Sequence, residues 1–346
     1  MQYTHRDCAV PVGFFILNDV DLFVVFRYNI PWLIGIYGGN SMILLMKRIM
    51  VLALAIFAFF TNGTGKGNTD YCGDYDFPRI AAEKQAPCTL RIMSFNIRYA
   101  GVNGNSVTDR ITIGECQILE IMPDSFGLQE ATNVWMVALD ERLTMYDWVG
   151  IERENGGSPT KGGESCPIFY LRSKFKLLDS GNFWLSETPD VPSVGPGAEC
   201  KRICTWAKLK NRKTGEVYVH VNTHFDHVSE EARVQGALIV NRFIEENFSD
   251  VPVVFTADMN TTDKGEAYAT MTKDLTDTRL AAKDCVSYGT FHGGQDPSLK
   301  ADYYIDFVLC SDNFDVAAYR TVTKGFNNRF TSDHFPIYAD LKLRNG

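Results

Sequence analysis

Two patterns of hydrophobic and polar residues alternate between residue 89 and the end of the chain. Short apolar runs bounded by polar turns are typical of buried strands, whereas apolar residues at every third or fourth position are typical of amphipathic helices. Helices are predicted over 111–121, 133–143 and 230–246. The expected inner face of the last helix comprises Ala232, Leu238, Ile239, Phe243 and Ile244. Strands are predicted over 90–95, up to Gln129, and over 167–171, 175–178, 205–209, 217–222, 253–257, 305–309, 321–322 and 337–341.

Strands outnumber helices in this pattern, and hairpin-like pairs occur beside strand–helix–strand units. That mixture favours mixed β-sheets covered by helices over an all-parallel sheet. No long linker interrupts residues 87–346, so we expect one α/β domain over this range. Cys116 and Cys310 lie in its apolar-patterned segments and are expected to be buried thiols.

The N-terminal region has a pattern of its own. Met46-Lys47-Arg48 precedes twelve apolar residues, 49–60, and a small polar stretch follows. This order is typical of a secretory signal peptide, which we place at 46–66, although a buried helix or a retained anchor would share the pattern. Residues 1–45 are then expected to be an over-extended reading of the gene, and 67–86 a flexible lead-in. The mature protein is expected to be exported, periplasmic or secreted, with no stable membrane span.

Charge and motifs exclude several classes of function. The formal net charge of −8 argues against a non-specific nucleic-acid binder, because phosphate contacts need clustered lysines and arginines. Phosphate-binding Gly-x-x-x-x-Gly-Lys-Ser/Thr, nucleophilic Gly-x-Ser-x-Gly and zinc-binding His-Glu-x-x-His sequences are all absent. A nucleotide-binding loop, a serine hydrolase and a zincin are therefore unsupported.

Polar residues stand at the ends of several predicted strands, where layered folds build their sites. Because oxygen ligands dominate this set, a hard cation such as Mg²⁺ or Mn²⁺ is favoured. A partnership of Asp306 with His334 would hold the imidazole in one tautomer and stabilise its cation. The set comprises Asn96, Glu130, His224, Asp226, Asp258, Asn260, Asp306, Asp333 and His334.

Each of these residues also has a structural interpretation. Asn96, Asp258 and Asn260 could form turns at strand ends, Asp306 could be a satisfied buried acid, and His224 could lie on the surface. Only the conjunction of the residues favours a catalytic site.

The motifs, taken in order, resemble those of the endonuclease/exonuclease/phosphatase superfamily across about residues 89–345. Phe183-Trp184-Leu185-Ser186-Glu187, Arg202, Trp206 and Thr290-Phe291-His292-Gly293 are similar to the bacterial secreted branch related to nocturnin. The superfamily motifs are Ser94-Phe95-Asn96, Leu128-Gln129-Glu130, Asn222-Thr223-His224-Phe225-Asp226, Ala257-Asp258-Met259-Asn260, Ile305-Asp306-Phe307 and Ser332-Asp333-His334-Phe335-Pro336.

The resemblance implies a four-layered α/β/β/α sandwich with two mixed sheets. It also implies a role for each matching residue. Glu130 would be the chief metal ligand, with Asn96 and Asp333 near the metal. Asp258 would orient or deprotonate the attacking water.

The remaining matches concern the phosphate. Asn260 and His224 would contact it, and His334, supported by Asp306, would stabilise the transition state. Arg98 and His292 are further candidates for substrate binding. Arg98 stands where abasic-site endonucleases carry an acid, which counts against DNA repair.

The expected function is metal-dependent hydrolysis of a phosphate ester by activated water. The expected substrate is a phosphodiester or phosphomonoester of a small molecule, nucleotide or lipid headgroup, and the protein is expected to be a monomer. A secreted nuclease is the enzymatic alternative, with nucleic acid possible but not favoured. A non-catalytic binding module on the same fold is the alternative of a different class.

Overall fold

Two β-sheets lie face to face between layers of helices in the computed structural model of the protein. The structure describes residues 90–101, 105–294, 303–323, 325 and 330–344. All of them fall within one unit, Asn68–Gly346. The predicted signal peptide, the over-extended N-terminus and the lead-in lie outside the described residues. Among the described residues, no helix combines the length and hydropathy that crossing a membrane requires.

The elements follow the predicted alternation closely. The helices are α1 (Val107–Ile121), α2 (Asn133–Arg142), α3 (Glu230–Phe248), α4 (Glu266–Met271) and α5 (Thr278–Ala281). The strands are β1 (Leu90–Asn96), β2 (Ser125–Gln129), β3 (Ala131–Thr132), β4 (Tyr146–Val149), β5 (Glu164–Ser165), β6 (Ile168–Leu171), β7 (Phe175–Trp184), β8 (Ile203–Asn211), β9 (Val217–His224), β10 (Val253–Asp258), β11 (Thr276–Asp277), β12 (Asp284–Val286), β13 (Asp306–Cys310), β14 (Phe314–Thr321) and β15 (Ile337–Leu343).

Both large sheets are mixed. The first has the order β12-β14-β15-β1-β2-β6-β4, and the second β11-β13-β10-β9-β8-β7. At the centre of the first sheet β1 pairs parallel with β2, and at the centre of the second β9 pairs parallel with β10. Parallel neighbours end at the same edge of a sheet, so each sheet brings two strand ends together there.

Three hydrophobic cores separate four layers. One core, with Ile92, Val254 and Ile337, lies between the sheets. A second packs α1 and α2 on the first sheet, and a third packs α3 and α4 on the second. The predicted α/β/β/α sandwich with two mixed sheets is therefore confirmed.

Several short elements, β3, β4, β5, β11, β12, α4 and α5, were not predicted. Two predicted strands also differ in their bounds, because bulges interrupt their alternation. The strand predicted to end at residue 178 continues to Trp184, past a register shift between Leu177 and Asp179. The segment predicted as a strand at 321–322 is the end of β14, which has a shift between Val316 and Ala318. A bulge adds one unpaired residue and breaks the two-residue period on which the prediction depends.

Two surface positions were predicted wrongly. Leu238, expected on the inner face of α3, is 41% exposed, because Ala237 and Val240 occupy the core side of the helix. Cys116, expected to be buried, lies on the exposed side of α1, whereas Cys310 is buried as predicted. Helical periodicity fixes a stripe only to within about one residue when several apolar residues are adjacent.

A polar network crosses the interface between the sheets. Asn222 on β9 donates to the carbonyl of Leu128 at 2.8 Å and accepts from Gln129 at 2.8 Å and Thr256 at 2.9 Å. Thr256 also contacts His220 Nε2 at 2.9 Å, and His220 Nδ1 contacts Ser125 Oγ at 2.7 Å. Because satisfied buried polar groups allow few alternative arrangements, the network fixes how the sheets align.

We predict that His220 makes stability fall in mild acid. Burial lowers the pKa of His220 from 6.5 to about 3, so this residue's contribution is fully present above about pH 6.5 and is lost as the pH falls towards 3. At pH 5 the loss attributable to His220 should be about 2 kcal/mol. Urea unfolding at pH 7 and pH 5 checks this value.

The controls are two substitutions of the same kind. H220Q should reduce the fall between the two pH values, whereas H227Q, which removes an exposed imidazole, should retain it. An equal fall in H220Q and the unmodified protein would contradict the prediction.

Candidate active site

Four strand ends and one loop meet at the edge of the sandwich. Asn96 ends β1 opposite Gln129, and Glu130 follows Gln129 directly. In the second sheet Asp258 lies opposite His224 on β9 and opposite Asp306 on β13. The loop before β15 adds Asp333 and His334. The predicted convergence of strand ends is thus present in the structure.

The carboxamide of Asn96 connects the two sheets at this edge. Its Nδ2 donates to Glu130 Oε1 at 3.0 Å and to Asp258 Oδ2 at 2.8 Å. Its Oδ1 accepts from the backbone N–H of Arg98 at 3.0 Å. Asn96 is fully buried, so these hydrogen bonds form without competition from water and hold two carboxylates at a fixed separation.

His334 lies between two buried acids. Its Nδ1 is 2.9 Å from Asp306 Oδ2, and its Nε2 is 3.8 Å from Asp258 Oδ2. Burial alone would lower the pKa of His334, but the carboxylates of Asp306 and Asp258 outweigh it and raise the pKa. The side chain is therefore an imidazolium at neutral pH, and its Nδ1 donates to Asp306.

Asp258 is a weaker acid than an exposed aspartate. Burial and the adjacent Asp306 carboxylate raise its pKa, and the opposing effects of His334 and the Asn96 hydrogen bond are smaller. A carboxylate with a raised pKa is a better proton acceptor, which suits a group that orients or deprotonates water. The geometry is consistent with the predicted role of Asp258.

His224 is neutral, whereas His334 is positively charged. Burial, followed by the positive charges of Arg202 and Arg153, holds the pKa of His224 well below its usual range. Asn260 Nδ2 donates to His224 Nε2 at 2.8 Å and to the carbonyl of Phe225 at 3.0 Å. His224 is therefore neutral, with its proton on Nδ1.

A buried arginine supports the two loops that close the site. Arg110 donates to the carbonyls of Ile97 at 2.9 Å and Arg98 at 3.0 Å, and also to those of Ala100 and Thr331. The loop after β1 and the loop before His334 are thereby joined through one guanidinium. Arg110 is fully buried, so this guanidinium forms part of the structural support of the site and not of its solvated surface.

Backbone strain is concentrated at the site. Within the described residues, four non-glycine residues have positive φ, and three of them belong to the site: Arg98 at 65°, Glu130 at 59° and Asn260 at 49°. Glu130 and Asn260 are the last residues of two strand-end motifs, and Arg98 lies two residues beyond a third. Such conformations cost about 1–3 kcal/mol each and persist where surrounding contacts enforce them. At these three positions the unfavourable backbone conformation orients the side chains towards the site.

The donor set beside Asn96 fits a hard divalent cation. The Glu130 carboxylate accepts one hydrogen bond on each oxygen, from Asn96 and from the backbone of Tyr99, and so retains lone pairs for a metal. Asp333 is ion-paired with Arg98, so as a metal ligand it would exchange that partner. Glu130, Asn96 and Asp333 would hold Mg²⁺ or Mn²⁺ through oxygen atoms alone.

A second group has metal-like spacing. Ligand atoms of Asp258, Asp306 and His334 lie within 4.8 Å of one another. Without a metal the His334 imidazole is protonated and has no lone pair to give one. We therefore expect this trio to handle protons and charge.

His292 lies behind the site. It is 1% exposed, and its ring is 4.6 Å from the rings of both Phe330 and Phe335. Its backbone N–H donates to the carbonyl of Asp333 at 2.9 Å. The structure thus places His292 under the loop that carries Asp333 and His334, and its contact with substrate stays a prediction.

The sequence analysis did not identify the two arginines near His224 as residues of the site. Arg153 and Arg202 come from two segments distant in sequence, and neither follows a strand-end motif. Arg202 immediately precedes β8. Its position close to a predicted strand is the sequence feature that could have identified it as a residue of the site.

Comparison with known proteins identifies the family. No protein-family model matches the sequence. An uncharacterized protein of Acanthamoeba polyphaga mimivirus is 27% identical over 164 residues, and the match spans 44% of this chain and 61% of that protein. The catalytic domain of human nocturnin has a TM-score of 0.59 at 18% identity, covering 76% of this chain and 97% of nocturnin's, which shows similarity of fold alone.

Two solved structures from Bacteroides are more similar. A mannosyl-6-phosphatase of Bacteroides thetaiotaomicron is 30% identical with a TM-score of 0.69, covering 74% of this chain and all of that one. An endonuclease/exonuclease/phosphatase of Bacteroides vulgatus is 36% identical with the same TM-score, covering 74% of this chain and 99% of that one. With the geometry above, these likenesses confirm the predicted resemblance: the chain belongs to the endonuclease/exonuclease/phosphatase family.

Proposed function

We propose that the protein is a metal-dependent phosphoesterase that cleaves a phosphate ester by attack of activated water. The observation that carries this proposal is the Asp306–His334–Asp258 arrangement beside Glu130. A buried imidazolium, a carboxylate with a raised pKa and a carboxylate suited to a metal surround one point. The phosphoesterase class is also supported by the hydrolases among the structural relatives.

Each residue has a distinct task in this reaction. Asp258 accepts a proton from water or orients the water for attack. The His334 cation, held in place by Asp306, stabilises negative charge as it accumulates on the phosphate oxygens. Neutral His224 contacts a phosphate oxygen, and Asn260 would do so by exchanging one of its present hydrogen bonds, to His224 or to the carbonyl of Phe225. A divalent cation, when bound, would offset further charge on the phosphate and lower the barrier electrostatically.

The substrate that we propose is a phosphorylated small molecule, nucleotide or lipid headgroup rather than nucleic acid. The net charge of −8 supports this choice, as does the mannosyl-6-phosphatase activity named for one relative with 30% identity. A phosphorylated sugar is therefore among the first compounds to test. We also propose that the mature protein is exported, because of the signal-like order of residues 46–66.

The first experiment removes the imidazolium. H334A should lower turnover by about 10²- to 10⁴-fold, because a positioned charge and proton donor is lost from the transition state. Hydrolysis of chromogenic phosphomonoesters and phosphodiesters, mannose 6-phosphate and nucleic acid should be measured with Mg²⁺, with Mn²⁺ and with chelator.

The control for this variant is its fold, checked by circular dichroism and urea unfolding. A folded H334A protein with near-normal turnover would remove His334 from the mechanism. Efficient cleavage of nucleic acid alone would replace our substrate proposal with a nuclease. No hydrolysis by the unmodified protein across the panel would favour a binding module.

A second prediction concerns the metal. E130Q should raise the Mg²⁺ concentration needed for half-maximal activity by at least about tenfold, because a neutral amide binds a hard cation more weakly than a carboxylate. Calorimetric titration with Mn²⁺ should show the same loss of affinity without depending on turnover. E141Q makes the same chemical change at an exposed end of α2 and should behave like the unmodified protein. Unchanged metal dependence in E130Q would exclude Glu130 as a ligand.

A further inference from the structure

Arg202 is buried beside the catalytic centre. Its carbonyl accepts from the backbone N–H of Leu185 at 2.9 Å, and the side chain is 5% exposed. Cys204, two residues later, lies opposite Thr223 on β9. This antiparallel register places Arg202 next to the end of β9. The last residue of that strand is His224, which is predicted to contact the phosphate.

The guanidinium of Arg202 lacks the partners that a buried cation requires. Its Nη2 donates to His227 Nδ1 at 3.0 Å. Its Nε makes no hydrogen bond, and we find no ion pair for it within the described part of the chain. Burying an unpaired charge is strongly unfavourable, so such groups are normally paired or bind a ligand.

Two other buried arginines in this protein have more partners than Arg202. Arg91 makes a two-pronged ion pair with Asp340, at 2.7 and 2.8 Å. Arg110 donates to four backbone carbonyls, although its Nε also makes no hydrogen bond. Arg202 differs from both in donating to a single acceptor, His227.

The acids near Arg202 are already engaged elsewhere. Asp226 accepts three backbone N–H groups, from Val228 and Ser229 at one oxygen and Glu199 at the other. Glu164 forms an ion pair with Arg153. Neither acid forms an ion pair with Arg202, although both carboxylates lie near it.

His224 provides a second, independent sign of a missing partner. Its Nδ1 is buried and makes no hydrogen bond within the described residues. Because Nε2 accepts from Asn260, Nδ1 carries the proton and is an unused donor. The positive charges of Arg202 and Arg153 add to burial in lowering the pKa of this side chain, so both groups lie close enough to act on it.

We propose that Arg202, with Arg153 and His227, forms a second anion subsite beside His224, which takes a second phosphate group of the substrate. A guanidinium binds phosphate through its N–H groups, and the unpartnered Nε of Arg202 is a donor that such a ligand would use. This inference rests on the proposed function. It narrows the substrate class to small molecules that carry two phosphate groups.

Binding to the H334A protein tests the subsite without hydrolysis. The probes are adenosine 3′,5′-bisphosphate, adenosine 5′-monophosphate and adenosine 3′-monophosphate, measured by calorimetry with Mg²⁺. The bisphosphate should bind about 10- to 100-fold more tightly than either monophosphate, the range expected for hydrogen bonds to a charged group. Adding R202Q should remove most of this preference, and R202K should retain part of it.

The matched control is R142Q, which removes an arginine at the exposed end of α2 and should keep the full preference. Equal binding of all three probes to H334A would overturn the subsite, as would equal losses for all probes on adding R202Q. If R202Q does not fold, R202K decides, and an unchanged preference in that variant overturns the proposal.

The two proposals fail in different ways. If the protein cleaves phosphate esters but does not prefer the bisphosphate, only the subsite proposal is wrong. If the protein prefers the bisphosphate through Arg202 but cleaves no ester, the subsite proposal stands and the proposed hydrolysis is wrong.

Discussion

The hydrogen bonds of the Asn96 carboxamide join the two halves of the site. Glu130 belongs to the first sheet and Asp258 to the second, and Asn96 donates to both. Two carboxylates on separate sheets would otherwise repel each other and move independently. A single buried amide opposes this by placing one N–H on each acid. The separation of Glu130 and Asp258 thus depends on the packing of the sheets.

That packing is itself controlled by polar groups. Asn222 joins the backbone of β2 to the side chains of Gln129 and Thr256, a few residues before the strand ends that carry the site. At Gly127 an added Cβ would lie 2.3 Å from Asn222 Oδ1, so a larger residue would displace the amide. Apolar packing alone would tolerate small slips between sheets, whereas a satisfied polar network does not.

The sequence was sufficient to predict the elements whose chemistry is local. An apolar run lies beside each of four site residues, Asn96, Glu130, Asp258 and His334. Parallel pairing brings the ends of such runs together independently of the conformation of the loops. Long-range pairings carried no comparable signal. The Arg98–Asp333 ion pair joins residues far apart in the chain, and the partners of Arg110 are carbonyls, which any residue supplies. Bulges in β7 and β14 likewise depend on neighbouring strands.

The two histidines of the site show why residue identity alone could not assign roles. His334 and His224 are both about 5% exposed. Two carboxylates face His334 and keep it charged, while burial and the arginines near His224 keep that side chain neutral. A cation is useful where negative charge grows in the transition state, and a neutral donor is useful where substrate phosphate must bind and leave. Asp258 lies between them, 3.3 Å from His224 Nε2 and 3.8 Å from His334 Nε2, and the His334 cation lowers its pKa against the larger effects of burial and Asp306. An anion bound at Arg202 would screen the arginine from His224 and so connect substrate binding to the charge balance around Asp258.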